Sequence, residues 1–200
     1  MNLANRITLF RILLIPLFIA LFPIYPEAWV NQFSILAYLE VHGVFYAAIV
    51  FIAASITDKL DGYVARKYNQ TTNLGKLLDP LADKLLVAAA LILMVSLHMI
   101  PSWIAFLILA REVIMMGVRI AASAQKVALA ADKYGKWKMV LQVVAISAML
   151  LNNAPFSLFT SFPVDLTLMY GALVITVYSG YNYIKNNYHL LKLEAHTSHY

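Results

Sequence analysis

The chain has 200 residues, of which 62% are hydrophobic and only 12% charged, with a formal net charge of +5 and no cysteine. A mean hydropathy of +0.74 excludes an ordinary soluble domain and places the chain among polytopic membrane proteins. Disulfide and thiolate chemistry are excluded, and nucleic acid is not an expected partner, because the basic residues are scattered through apolar segments instead of forming a stripe.

Six apolar stretches approach the ~20 helical residues that cross ~30 Å of hydrocarbon. The first runs from Ile7 to Phe22. Arg6 and Arg11 give it the look of a secretory leader, but no A-x-A cleavage site follows, so a retained helix is expected. The second runs from Val44 to the neighbourhood of Asp58 and Arg66, and the third from Gly75 to His98, closed by a turn at Ile100-Pro101. The fourth covers Trp103 to Ala124, the fifth Gly135 to Leu151 and the sixth Leu166 to Tyr188. The expected fold is therefore all-α and integral to the membrane, with six transmembrane helices. Residues 1–190 form one membrane domain and 191–200 a short cytoplasmic tail.

Segments 22–43, 96–103 and 150–166 contain no Lys or Arg. The positive-inside rule then puts both termini, the loop Arg66 to Lys76 and the loop Lys126 to Lys138 at the cytoplasmic face of a plasma membrane. His189, His196 and His199 have no ligand-like spacing, and Met115, Met116, Trp103 and Trp137 read as packing and interfacial anchors.

Four of the ten acidic residues fall in one pattern, Asp58-x2-Asp61-Gly62-x2-Ala65-Arg66-x8-Gly75-x3-Asp79-x3-Asp83. Charge at the ends of apolar helices is unfavourable unless a cation or ligand compensates it. Asp58, Asp61 and Gly62 share one helical face, as do Asp79 and Asp83 on the next helix, and a short connection lets the two pack as an antiparallel hairpin. Converging carboxylates are hard oxygen donors suited to Mg2+ or Mn2+, and four can hold two such ions about 4 Å apart, an arrangement suited to phosphoryl transfer. Gly62, Ala65 and Gly75 leave room for a bulky group near the backbone, and Arg66 is placed to bind a phosphate oxygen.

These eight residues resemble, without departure, the signature of the CDP-alcohol phosphatidyltransferases. The resemblance implies a six-helix membrane enzyme, commonly a homodimer, that uses two divalent ions to transfer a phosphatidyl group from CDP-diacylglycerol to an alcohol. It further implies that Asp58, Asp61, Asp79 and Asp83 bind the metals and that Asp83 is also the general base. Gly62, Ala65, Arg66 and Gly75, with Thr57 beside them, would line the CDP-diacylglycerol site.

Outside the motif, Arg111, Glu112 and Arg119 lie in the fourth stretch, and Lys133, Lys136 and Lys138 open the fifth. Arg119 and Lys136, with Arg111 and Lys138, are candidates to receive a phosphate dianion near a helix N-terminus. The bland reading is that Arg111 and Glu112 compensate each other and that the lysines are interfacial anchors. Asn5 to Arg11, Ile56-Thr57-Asp58, Ala110-Arg111-Glu112, Gly117-Val118-Arg119 and Gly135-Lys136-x-Lys138 resemble the bacterial branch that uses sn-glycerol 3-phosphate as acceptor. Met116 and Met139 depart from the pattern of that branch, where threonine is common. Two alternatives stay open: the same fold with inositol phosphate, serine or phosphatidylglycerol as acceptor, and an ion or metabolite transporter, since intramembrane carboxylates also mark ion pathways.

Overall fold

The computed structural model describes residues 3–68, 73–124, 133–160 and 162–195; the side chains at 3–8, 58–81, 83, 124, 133–134, 136, 155 and 188–195 lie outside that description. Among the described residues there are eight helices and no strand. They are α1 (Leu3–Leu21), α2 (Glu27–Gln32), α3 (Ser34–Tyr68), α4 (Asn73–Ser96), α5 (Ser102–Ala124), α6 (Lys133–Leu150), α7 (Ala154–Ser157) and α8 (Val164–Ala195).

Six of the helices are long, and they follow the six apolar stretches with changed boundaries. The second stretch begins earlier than its composition suggests: α3 starts at Ser34, so the apparent polar connection up to Gly43 is largely helix. Gly43 is a contact rather than a boundary. A Cβ there would stand 2.1 Å from the Leu21 carbonyl oxygen, so the missing side chain lets α3 lie against the last turn of α1. The short helices α2 and α7 were not anticipated; α2 opens after Pro26 with Glu27 in its first turn, and α7 carries a proline at its start.

Two helix ends close in the same way. His98 (φ 57°) follows α4 and Asn152 (φ 52°) follows α6. In each case the next amide reaches back five residues, Met99 to the Met94 carbonyl (2.9 Å) and Asn153 to the Ala148 carbonyl (3.0 Å). Left-handed backbone at this position satisfies carbonyls that the helix end leaves without donors.

The core is apolar and contributed by every long helix. Phe18 of α1 and Phe22, just past its end, stack edge-on with centroids 5.2 Å apart, and Phe18 meets Phe51 of α3 at 6.0 Å. Leu86, Leu91 and Met94 of α4, Ile104 and Ile108 of α5, Ile146 of α6 and Met169 of α8 complete it. The outer faces are also apolar: Leu13, Ile35, Val41, Phe106, Val113, Ile120 and Val174 are all exposed. A surface of that kind suits hydrocarbon, not water. Among the described residues, Ser34–Thr57 and Val164–Asn187 are by themselves long and apolar enough to cross a bilayer, and Leu9–Leu21, Lys84–Ser96 and Trp137–Leu150 are shorter apolar helices. The protein is accordingly a membrane protein.

Candidate active site

The aspartate motif is split between two consecutive helices. Asp58, Asp61, Gly62, Ala65 and Arg66 lie on the second half of α3, and Gly75, Asp79 and Asp83 on the first half of α4. Residues 69–72, within the connection that the sequence places between them, fall outside the described residues, as do the side chains of all eight motif positions. The backbone nevertheless fixes their register. On α3 the buried positions Ala47, Phe51 and Ala54 advance by four and three residues, and the same steps lead to 58 and 61. On α4 the buried positions Ala82, Leu86 and Ala90 share a face with 79 and 83. The two helices touch, and α1 packs against both.

The four aspartate positions continue the register of the buried positions on α3 and α4, and carboxylate is the hard-oxygen residue type that suits a divalent cation. Among the described residues no group of three or more His, Cys, Asp or Glu side chains is arranged to hold a metal ion. Thr57, one residue before Asp58, has its hydroxyl committed to the backbone: Oγ1 donates to the Ala53 carbonyl at 2.7 Å.

The second group of candidate residues is built where α5, α6 and α8 meet. Arg111 Nη1 donates to Glu112 Oε1 at 3.1 Å, and Arg111 Nη2 donates to Ser179 Oγ of α8 at 2.8 Å. Lys138 of α6 forms an ion pair and hydrogen bond with the same Glu112 oxygen. Arg111 and Lys138 are thus brought together on one carboxylate. Lys84, the residue after Asp83, also stands within electrostatic reach of Glu112. Arg119 is not joined to them in the described structure; it is exposed, with its guanidinium 5.6 Å from the centre of the Tyr183 ring. Lys136 lies in the first turn of α6, and its side chain is outside the described residues.

Several polar residues of this region were missed in the sequence. Gln142 Nε2 donates to Thr176 Oγ1 at 3.0 Å, both groups fully buried, and the Thr176 hydroxyl in turn donates to the Ala172 carbonyl at 2.6 Å. Thr176, Ser179, Tyr183 and Asn187 are buried along one face of α8. Their spacing of three and four residues was the available signal, a polar stripe inside an apolar helix. Gly180, beside Ser179, has a packing role: a Cβ there would meet Arg111 Cγ at 3.2 Å.

Residues 1–178 match the family model described as CDP-alcohol phosphatidyltransferase. The chain is 44% identical over 196 residues to a protein of Bacillus subtilis (strain 168) named CDP-diacylglycerol–glycerol-3-phosphate 3-phosphatidyltransferase, covering 96% of this chain and 97% of that one. Proteins of the same name from Rickettsia typhi and Haemophilus influenzae are 35% identical over 184 residues and 33% identical over 190 residues. Each alignment covers 92% of this chain, with 96% and 92% of the respective relative.

Proposed function

The chain belongs to the CDP-alcohol phosphatidyltransferase family, and we propose that it transfers the phosphatidyl group of CDP-diacylglycerol to sn-glycerol 3-phosphate, giving phosphatidylglycerophosphate and CMP. The observation that carries this reading is the end-to-end likeness to the Bacillus subtilis protein of that name, at 44% identity. The eight motif residues supply the chemistry the reaction needs.

Asp58, Asp61, Asp79 and Asp83 would hold two divalent ions, Mg2+ or Mn2+. Bound there, such ions would supply positive charge against the diphosphate and the departing CMP. Asp83 takes the proton from the acceptor hydroxyl. That oxygen attacks the phosphorus next to diacylglycerol, a new P–O bond forms, and the bond from that phosphorus to CMP breaks with the electron pair leaving on CMP. Gly62, Ala65 and Gly75 admit the cytidine diphosphate close to the backbone, and Thr57 and Arg66 flank it. Arg111, Arg119, Lys136 and Lys138 receive the phosphate of the acceptor.

The same reading makes the protein multi-pass, with six helices crossing the membrane, both termini cytoplasmic and the active site opening inward, where soluble glycerol 3-phosphate is available. The distribution of Lys and Arg supports that orientation. A homodimer in the bilayer is the expected assembly.

The test is release of CMP by the purified protein in detergent with CDP-diacylglycerol and Mg2+. Glycerol 3-phosphate is compared with serine, inositol, inositol phosphate and phosphatidylglycerol. Release that depends on glycerol 3-phosphate is expected, and release only with another acceptor would overturn the assignment.

A further inference from the structure

Two cations in the helix bundle share one carboxylate. Arg111 and Lys138 come from different helices, their side chains are only 13% and 9% exposed, and both bond to the same oxygen of Glu112, itself 17% exposed. Bringing like charges together in a poorly solvated place is costly unless an anion sits between them. Glu112 cancels one of the two charges.

Arg111 is gripped from several sides. Glu112 takes Nη1, Ser179 takes Nη2, and Gly180 leaves just enough room for the aliphatic part of the side chain. Its Nε is buried and has no hydrogen-bond partner. A buried guanidinium donor without an acceptor is expensive to maintain, and an entering phosphate oxygen is the kind of acceptor that would satisfy it.

We propose that Glu112 is a positioning residue that sets both the spacing and the net charge of the acceptor-phosphate site. It holds Arg111 and Lys138 in one cluster and subtracts one unit of positive charge from it. Binding of a phosphate dianion is thereby weakened enough for the phosphorylated product to leave. This inference rests on the acceptor reading above.

Two substitutions at one position separate the roles. Glu112→Gln keeps an oxygen that accepts hydrogen bonds from Arg111 and Lys138 but removes the charge, so the Michaelis constant for glycerol 3-phosphate should fall about fivefold. Competitive inhibition by inorganic phosphate should tighten with it. Glu112→Ala removes the charge and the acceptor together, the cations separate, and the same constant should rise about tenfold. The constant for CDP-diacylglycerol should stay put in both. A scaffold role alone would move both variants the same way, so shifts in one direction, or none, overturn the inference.

Gly180→Ala probes the site without touching Glu112 and guards against a folding defect in the first pair. The added methyl pushes on Arg111, and the Michaelis constant for glycerol 3-phosphate should rise while kcat is kept; an unchanged constant would overturn the positioning of Arg111. Wild-type protein that releases no CMP with glycerol 3-phosphate would instead remove the reaction, and the inference with it.

Discussion

Gly43 of α3 faces the carbonyl oxygen of Leu21 so closely that a Cβ added to it would lie 2.1 Å from that oxygen. The obstacle is backbone at the last residue of α1, which cannot swing aside as a side chain would. Gly43→Ala should therefore force α1 and α3 apart and open the contact among Phe18, Phe22 and Phe51. A loss of about 3 kcal/mol is expected from overpacking of this kind. Thermal unfolding of the detergent-solubilised variant checks it, and an unchanged midpoint would show that the two helices adjust freely.

Asp83 carries two duties in the proposed reaction, metal ligation shared with three other carboxylates and proton abstraction that it performs alone. Asp83→Ala should consequently lower kcat by at least about a hundredfold while weakening CDP-diacylglycerol binding far less. Turnover and equilibrium binding of the lipid donor are measured separately on the same preparation. Equal losses in both would sink the assignment of the base and leave Asp83 as a ligand only.

The helical class and the two halves of the motif were legible because apolar run length and carboxylate spacing are local properties of the chain. The start of α3 was not. Gly43 has the chemistry of a helix end, and only the closeness of Leu21, far away in sequence, turns it into a packing position within a helix that starts at Ser34. Arg111 and Lys138 were recognised as unusual charges for apolar segments. Their meeting on Glu112 depends on how α5 and α6 each pack against α8, which no local pattern encodes. Ser179 and Thr176 were overlooked because hydroxyl residues cost little in an apolar helix when they bond their own backbone, and so leave a weak mark on composition.

Gln142 and Thr176 form a buried hydrogen bond between α6 and α8. Thr176→Val keeps the shape and removes the acceptor, leaving the Gln142 amide without that partner, and should cost about 1 kcal/mol. The double variant Gln142→Leu with Thr176→Val removes both polar groups and should recover most of that loss. Thermal stability of the four proteins in the cycle reads the coupling directly. Additive losses would mean that the bond contributes nothing of its own.

Arg119 stands apart from the Arg111 and Lys138 cluster, lying over the Tyr183 ring with its charge still exposed. A cation held against an aromatic face keeps its position while its hydrogen-bond donors remain free to meet an incoming anion. Arg119→Ala should then raise the Michaelis constant for glycerol 3-phosphate about tenfold, as loss of one charge-assisted contact does, without altering the constant for CDP-diacylglycerol. Tyr183→Phe preserves the ring and should behave like the wild type, whereas Tyr183→Leu removes the platform and should reproduce part of the Arg119→Ala defect. Kinetics varying each substrate in turn make the comparison. A rise confined to CDP-diacylglycerol would move Arg119 to the donor side of the site, and no change at all would leave it a surface cation with a structural stacking contact.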